Sequence, residues 1–511
     1  MARGMGIGAV LRRCKLVSKQ WVLRRGEKSS DLIRDLENKC SEIEDKIAFG
    51  SQEQSLRANL NENRRRLWEA VRREEREWIQ KSRLKWAVAG DRNTKFFQLA
   101  ASARRRSNFI GSIKVGKVTY DKPVQVKQAI EMHFRKIFNS SNTIPIKMFD
   151  CDFNKIDLNA ATVLEKPFSE DEIFAALSTV ESSKSPGPDG FNMGFLKKFW
   201  PTLKFEILEF FCRFFEGDTP DRFLNHSFVV LIPKIQNPVL IEDYRPISLV
   251  GCVYKLLAKV LARRLGAVLD EIIGEQQFAF CPGRQILDCS LIANDYNRRK
   301  GLEGVVIKVD FYKAYDTVDW GFLIAVMKKM GFGSVWCKWM FTCISKASIS
   351  VLVNGSPTSP FNIRRGLRQG CPLSPMLFNI VAEALSVLLN KATSRGLFNG
   401  IKIGQNAFEV SHIQFADDLI LFCGAGESQI RNVVRILRGF ELAAGLKLNL
   451  KKTKLIGINI DKDKIDYWAS LIHCQTENLP CQYLGLPLGA SRNSIQLWSP
   501  VVEKFKKKLS A

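Results

Sequence analysis

Residues 412 to 422 read HIQFADDLILF, two apolar-leaning runs with Asp417 and Asp418 side by side between them. Both runs read as strands, so Ala416, Asp417 and Asp418 fall in the tight turn of a β-hairpin. Adjacent carboxylates repel, and one pKa rises unless a cation lies between them and a partner. A turn often carries one Asp for conformational reasons alone, and that ordinary reading stands for either residue taken singly. The pair calls for a third group elsewhere in the chain.

Asp310 is the candidate. In GVVIKVDFYKAYDTVDW, residues 304 to 320, the β-branched run Val305, Val306, Ile307 and Val309 reads as a short strand with Asp310 at its end. Placed beside the hairpin turn, the three carboxylates make a site for two Mg²⁺ ions about 3.5 to 4 Å apart, an arrangement suited to in-line attack on a phosphate. Asp316 and Asp319 stand before the helical pattern GFLIAVMKKMG. An acid there is commonly a cap or a dipole partner, and both are assigned that structural role.

The chain as a whole favours a polyanionic partner. Its 511 residues are 46% hydrophobic, enough for one large multi-lobed domain or two to three smaller ones. Lys and Arg outnumber Asp and Glu by 77 to 52, a net charge of +25, which points to nucleic acid. Thirteen cysteines without a CxxC pair, and only four histidines, indicate neither a disulfide framework nor a zinc site, and a reducing compartment fits. No uncharged apolar run approaches the ~18 to 20 residues of a membrane helix, so no membrane partner is expected. The opening MARGMGIGAVLRRCKLVSKQ is too interrupted for a secretory signal.

From about residue 27 to 106 the pattern is helical. Between Asn61 and Arg106 fourteen Lys or Arg face six Asp or Glu, with Trp68, Trp78, Trp86, Phe96 and Phe97 interleaved. Such a segment suits a template or primer strand, or else is a solvated helix with core anchors. Short β-like pieces between about 108 and 160 mark a boundary, and SKSPGPDGF, residues 183 to 191, reads as a connecting loop. In FVVLIPKIQNPVLIEDYRPISLV, residues 228 to 250, Lys234 and Arg245 fall on neighbouring limbs of a hairpin. That geometry suits a triphosphate clamp, with two ordinary surface cations as the alternative. KLLAKVLARRLGAVLDEII follows as a helix with a packing role.

The blocks LIPKIQNPVLIEDYRPISLV, QFAFCPGRQILDCSLIAND, IKVDFYKAYDTVDW, RRGLRQGCPLSPMLFNIVAEALS, FADD, GLKLNLKKTKL and YLGLPLG occur in this order. Together they resemble the reverse transcriptase of LINE-type, non-long-terminal-repeat retrotransposons, with a plant-like wording. QKSRLKWAVAGDRNTKFFQLAASARRRSNFI, residues 80 to 110, is similar to the region before the fingers in those polyproteins.

The resemblance implies an α+β right-hand polymerase. A basic, largely helical region would occupy 1–150, fingers 151–300, a palm of βαββαβ type 301–489, and the start of a thumb 490–511, with the reverse transcriptase domain proper at about 215–489. By it, Asp310 and Asp417 hold two Mg²⁺ ions, or Mn²⁺ in their place, and Asp418 is the less essential neighbour. Lys234 and Arg245 grip the triphosphate, Phe311 joins the nucleotide site, and Gln369 and Gly370 line nucleotide and template. Tyr315 matches the steric gate that excludes a 2′-hydroxyl, Lys452 the lysine that protonates pyrophosphate, and Cys481–Gly489 the hairpin that positions the primer end. The implied partners are an RNA template, a DNA primer and deoxynucleoside triphosphates, in a ribonucleoprotein of nucleus or cytoplasm. Such elements usually encode an endonuclease upstream and more thumb downstream, so a fragment is expected. A group II intron-type reverse transcriptase and maturase, or a catalytically silent nucleic-acid-binding remnant, are the alternatives.

Overall fold

A computed structural model describes residues 6–25, 29–49, 54–82, 94–139, 151–285, 303–403, 408–489 and a few positions between 498 and 509. Trp86, most of the QILDCSLIAND block and most of the expected start of the thumb lie outside the described residues.

Three helices lead the chain: α1 (Ile7–Arg25), α2 (Ser29–Ala48) and α3 (Gln54–Ser82). The first turns of α1 bury Ile7 and Leu11 in the main core beside the helix Trp200–Glu216, and Arg12 bonds Asp221 at 2.8 Å. Helices α2 and α3 pair over a small core of Ile33, Leu36, Ala70 and Val71. Much of the expected phosphate-binding charge of α3 is already paired: Arg65 with Glu62 and Glu69, Arg73 with Glu77, and Arg64 across to Glu44. The interleaved aromatics divide, since Phe97 is a core residue and Trp68 is exposed.

The first large sheet is built on β1 (His226–Pro233) and β2 (Tyr244–Val250), antiparallel with Ile232 opposite Arg245. Helix α4 (Cys252–Gly266) follows at once. The turn SPGPDG, read from sequence as a connecting loop, is instead a buried latch on that junction. Asp189 is 1% exposed; its Oδ2 accepts the Cys252 amide at 2.5 Å and its Oδ1 the Phe191 amide at 3.2 Å. That carboxylate caps the positive end of α4. Gly187 lies so near the backbone of Val250 that a Cβ would stand 2.4 Å from the carbonyl carbon, which excludes any side chain.

The second large sheet contains β3 (Gly304–Val309). Between its strands the chain returns to the first sheet: β4 (Ser348–Val353) runs parallel to β1, with Val229 opposite Val351. Sequence order put this segment with the palm. An apolar strand carries no local mark of which sheet it will join, and long-range pairing decides.

Helix α5 (Ser374–Ser394) is long and apolar enough to cross a membrane by length and composition, yet carries Glu383 and Lys391 and is 67% buried in the protein. Strands β5 (His412–Phe415) and β6 (Asp418–Gly424), helix α6 (Glu427–Ala444), β7 (Lys454–Ile458) and β8 (Gln475–Thr476) complete the second sheet in the order β5-β6-β3-β7-β8. Alternation along the strands feeds two cores. Val305, Ile307, Val309, Leu419 and Leu421 enter the main one, and Val306, Ile420, Phe422 and Ile456 a smaller one under the hairpin 481–488. Each such side chain contributes about 1.5–3 kcal/mol.

Candidate active site

Leu419 pairs with Val309, so the end of β3 and the start of β6 lie together and bring Asp310 beside the Phe415–Asp418 turn. The turn is tight because Ala416 takes a left-handed conformation, φ +56°. Asp310 is gripped by Asn449: its carbonyl accepts the Asn449 amide at 2.8 Å, and its Oδ2 accepts Nδ2 at 2.7 Å. The Asp310 amide reaches Thr453 Oγ1 at 3.4 Å.

The carboxylates are electrostatically crowded. Partial burial raises the Asp417 carboxyl, Asp310 adds to the rise, and Arg245 and Lys234 oppose it. Asp418 is pushed up to about 6 by burial, then by Asp417 and Asp310, against Lys308. Both side chains still reach solvent, so they are accessible to an incoming cation. Lys308 is tied to Gln482 O at 2.6 Å, and the Tyr483 hydroxyl donates to Asp418 O at 3.4 Å, which docks the 481–488 hairpin behind the carboxylates.

The first sheet supplies the opposite charge. The Lys234 amide donates to Asp243 O at 2.7 Å and its Nζ to Glu242 O at 2.8 Å. Burial lowers the Lys234 ammonium, Lys452 and Arg245 lower it further, and Asp310 opposes them. Lys234 therefore lies near enough to Lys452, Arg245 and Asp310 to feel their charge, and Asp417 near enough to feel Asp310, Arg245 and Lys234. None of the three cations makes an ion pair among the described residues.

Tyr315 stacks on Phe378 at 4.4 Å and 12°, and its hydroxyl is raised by burial and then by Asp417. Gln369 O accepts the Ser248 amide at 2.7 Å, which fixes the Gln369–Gly370 loop to β2. Gly370, at φ +98°, sits where a Cβ would be 2.9 Å from Ser248 O. Phe311 is partly buried: its ring meets Phe440 edge-on at 6.5 Å and packs against the main core.

Asp319 caps the helix Trp320–Lys329 through Phe322 N at 2.8 Å, as its position suggested. Asp316 does not cap. It is 2% exposed, its Oδ1 accepts Gln369 Nε2 at 3.4 Å, and its Oδ2 has no partner among the described residues. Burial pushes its carboxyl up to about 7, against Lys313 and Lys234. Lys313, also missed from sequence, is left-handed at φ +48° and donates Nζ to His133 Nε2 at 2.7 Å. Burial lowers Lys313 to about 8; burial and then Lys313 lower His133 to about 3. Asn449 is the missed residue with the nearest thing to a signal, since Asn in NLKKT marks a turn.

A sheet end bearing clustered carboxylates thus lies near Lys234 and Arg245 of the other sheet, an arrangement suited to binding phosphate groups. The family model for reverse transcriptase (RNA-dependent DNA polymerase) matches residues 232–488, and the chain belongs to that family, in its non-long-terminal-repeat retrotransposon branch. Over 501 residues, 94% of the chain, it is 27% identical to the transposon TX1 uncharacterized 149 kDa protein of Xenopus laevis. Over 300 residues, 57% of the chain, it is 27% identical to a retrovirus-related Pol polyprotein from the type-1 retrotransposable element R2 of Popillia japonica. A Pol polyprotein from the type-2 element R2DM of Drosophila melanogaster is 27% identical over 290 residues, 55% of the chain. The chain spans 37%, 40% and 26% of these proteins.

Proposed function

We propose that the chain is an RNA-directed DNA polymerase that extends a DNA primer on an RNA template by two-metal nucleotidyl transfer. The observation that carries this reading is the electrostatic proximity of the carboxylates Asp310, Asp417 and Asp418 to one another and to Lys234 and Arg245, with Lys452 beside Lys234.

In this reading the β5-β6-β3-β7 sheet with its helices α5 and α6 is a palm of βαββαβ type, and the β1-β2 sheet belongs to the fingers. Among the described residues no three His, Cys, Asp or Glu side chains close into a preformed metal cage. Mg²⁺ sites in phosphoryl transfer commonly use one or two carboxylates and take their remaining ligands from substrate phosphates and water. Burial raises both carboxyls, and like charge adds to it, Asp310 acting on both and Asp417 on Asp418; a cation would relieve that repulsion, so the residues fit. Asp310 and Asp417 would hold Mg²⁺, or Mn²⁺ in its place, with Asp418 beside them. The ions, when bound, activate the primer 3′-hydroxyl and stabilise charge on the attacking and leaving oxygens.

The protein groups do the rest. Lys234 and Arg245 bind the triphosphate, the ammonium as a point charge and the guanidinium as a fork. The Tyr315 ring, held flat on Phe378, fills the space of a 2′-hydroxyl and favours deoxynucleotides. Gln369 and Gly370 let nucleotide and template approach the backbone closely, and Lys452 donates a proton to departing pyrophosphate. The 481–488 hairpin, fastened through Tyr483 and Lys308, positions the primer end.

Primer extension on an RNA template with Mg²⁺ tests the reading. Extension should be present in the wild type and lost in Asp310→Asn and Asp417→Asn, with duplex affinity retained. Extension that persists in either variant would overturn the two-metal assignment.

A further inference from the structure

Behind the carboxylate turn lies a chain of buried polar side chains that the reaction does not use. Residues 276–279 run alongside β5: the Gln414 amide donates to Gln276 O at 2.8 Å, and the Phe278 amide to Gln414 O at 2.9 Å. Between them Gln277, with no exposed surface, turns its carboxamide toward the turn. Its Oε1 accepts the Ala416 amide and the Ala279 amide, each at 3.0 Å. Its Nε2 donates to Gln414 Oε1 at 3.3 Å, which also accepts from Ser386 Oγ at 3.4 Å.

The chain continues to His412. His412 Nε2 lies 3.0 Å from Ser386 Oγ, and Nδ1 lies 2.8 Å from Ser411 Oγ. Burial alone lowers the imidazole to about 3, so the ring is neutral. With Ser386 Oγ donating to Gln414 Oε1, it accepts from His412 Nε2–H, and Nδ1 accepts from Ser411. Whichever way the hydroxyls turn, the Ala416 and Ala279 amides both need an acceptor, and that fixes Oε1 as the face Gln277 presents to Ala416. A buried polar network with every member satisfied is rigid and specific.

Ala416 needs such a restraint. Its φ of +56° is unfavourable for a residue with a Cβ, and residues held there persist only when their surroundings over-determine them. Asp417 and Asp418 follow directly, so the conformation at Ala416 aims both carboxylates.

We propose that Gln277 is a positioning residue for the metal-binding turn: its carboxamide oxygen holds Ala416 in the left-handed conformation that presents Asp417 and Asp418. The role rests on the reading of Asp310 and Asp417 as metal carboxylates.

Gln277→Met keeps the shape and removes the strong acceptor. Amide hydrogen exchange across 412–420, Mn²⁺ affinity of the protein on a primer-template duplex, and extension against Mg²⁺ concentration are measured together. Expected are faster exchange in the turn, Mn²⁺ binding and half-saturating Mg²⁺ each weakened about tenfold, as for other residues that orient metal ligands, and unchanged duplex affinity. Adding Ala416→Gly should restore part of the metal affinity, because glycine holds a positive φ unaided. Wild-type exchange and metal dependence in Gln277→Met would overturn the role, and so would a loss that Ala416→Gly leaves untouched. Either result leaves the polymerase reading standing so long as Asp310→Asn abolishes extension. Extension indifferent to Asp310→Asn would instead remove that reading, and the positioning role with it.

Discussion

The sheet of β3, β5, β6, β7 and β8 brings carboxylates to the candidate site, and the sheet of β1, β2 and β4 brings Lys234 and Arg245, but the two are supported in different ways. Behind the aspartates the polar groups are tied in: Asn449 takes two bonds to Asp310, and Gln277 holds the turn from beneath. Lys234 is held by two backbone carbonyls through its amide and Nζ, and exposed Arg245 makes no ion pair among the described residues. Groups that must meet reacting oxygens within a few tenths of an ångström need a fixed frame. On the proposed reading Lys234 and Arg245 gather a flexible polyphosphate, which asks for charge in the right place more than for a fixed frame.

That contrast can be broken most sharply at the carboxylates. Asp310→Asn or Asp417→Asn should lower single-turnover extension by several orders of magnitude, with Asp418→Asn milder, because metal stabilisation supplies several kcal/mol of the barrier reduction. Melting temperature should hold or rise as like charge is removed. Unfolding of either variant would make the aspartates structural.

On the cationic sheet, Arg245→Ala and Lys234→Ala should raise the half-saturating nucleotide concentration about ten- to a hundredfold while the maximal rate falls less, the signature of lost binding. An equal fall in rate at unchanged half-saturation would place these cations in the chemistry and erase the contrast.

Tyr315→Val should relax sugar choice by about tenfold or more, since a filled volume is removed rather than a charge. The measurement is the ratio of ribonucleotide to deoxynucleotide incorporation. An unchanged ratio in an active variant would leave Tyr315 as a partner of Phe378 only.

The last effect is on stability rather than on turnover. Asp316 titrates at about 7 in the fold, against about 4 in an unfolded chain, so the folded state binds the proton more tightly. Wild-type stability should therefore fall as pH climbs through that window, by up to about 1.4 kcal/mol per unit. Asp316→Asn lacks the loss, so its melting temperature should gain on the wild type from pH 5 to 7 and level off above. A constant difference would mean that Asp316 does not change charge there.

The hairpin around Asp417, the strand before Asp310 and the cap at Asp319 were legible in the sequence because each has a short-range pattern. Alternating apolar residues, a β-branched run and an acid before a helix suffice for them. Gln277 carried no such mark, and the turn signal at Asn449 and the helix-start position of Asp316 said nothing of what each would touch. Gln277 acts on a residue 139 positions away, and Asn449 on one equally distant. What makes Asp316 unlike Asp319 is burial, which depends on the Gln369 loop rather than on its neighbours in sequence.

The pairing of β1 with β4 has a consequence for the order of assembly. His226 and Ser348 meet across 122 residues, and β3 lies between them in the chain. As the polypeptide emerges from a ribosome, the cationic sheet must wait for β4, by which time β3 and Asp310 have already been made. Neither half can be synthesised, finished and then docked onto the other. A break in the chain between 310 and 348 would sever both sheets' connectivity at once, so this region should fold as a single late-closing unit, slowed by its long-range pairing.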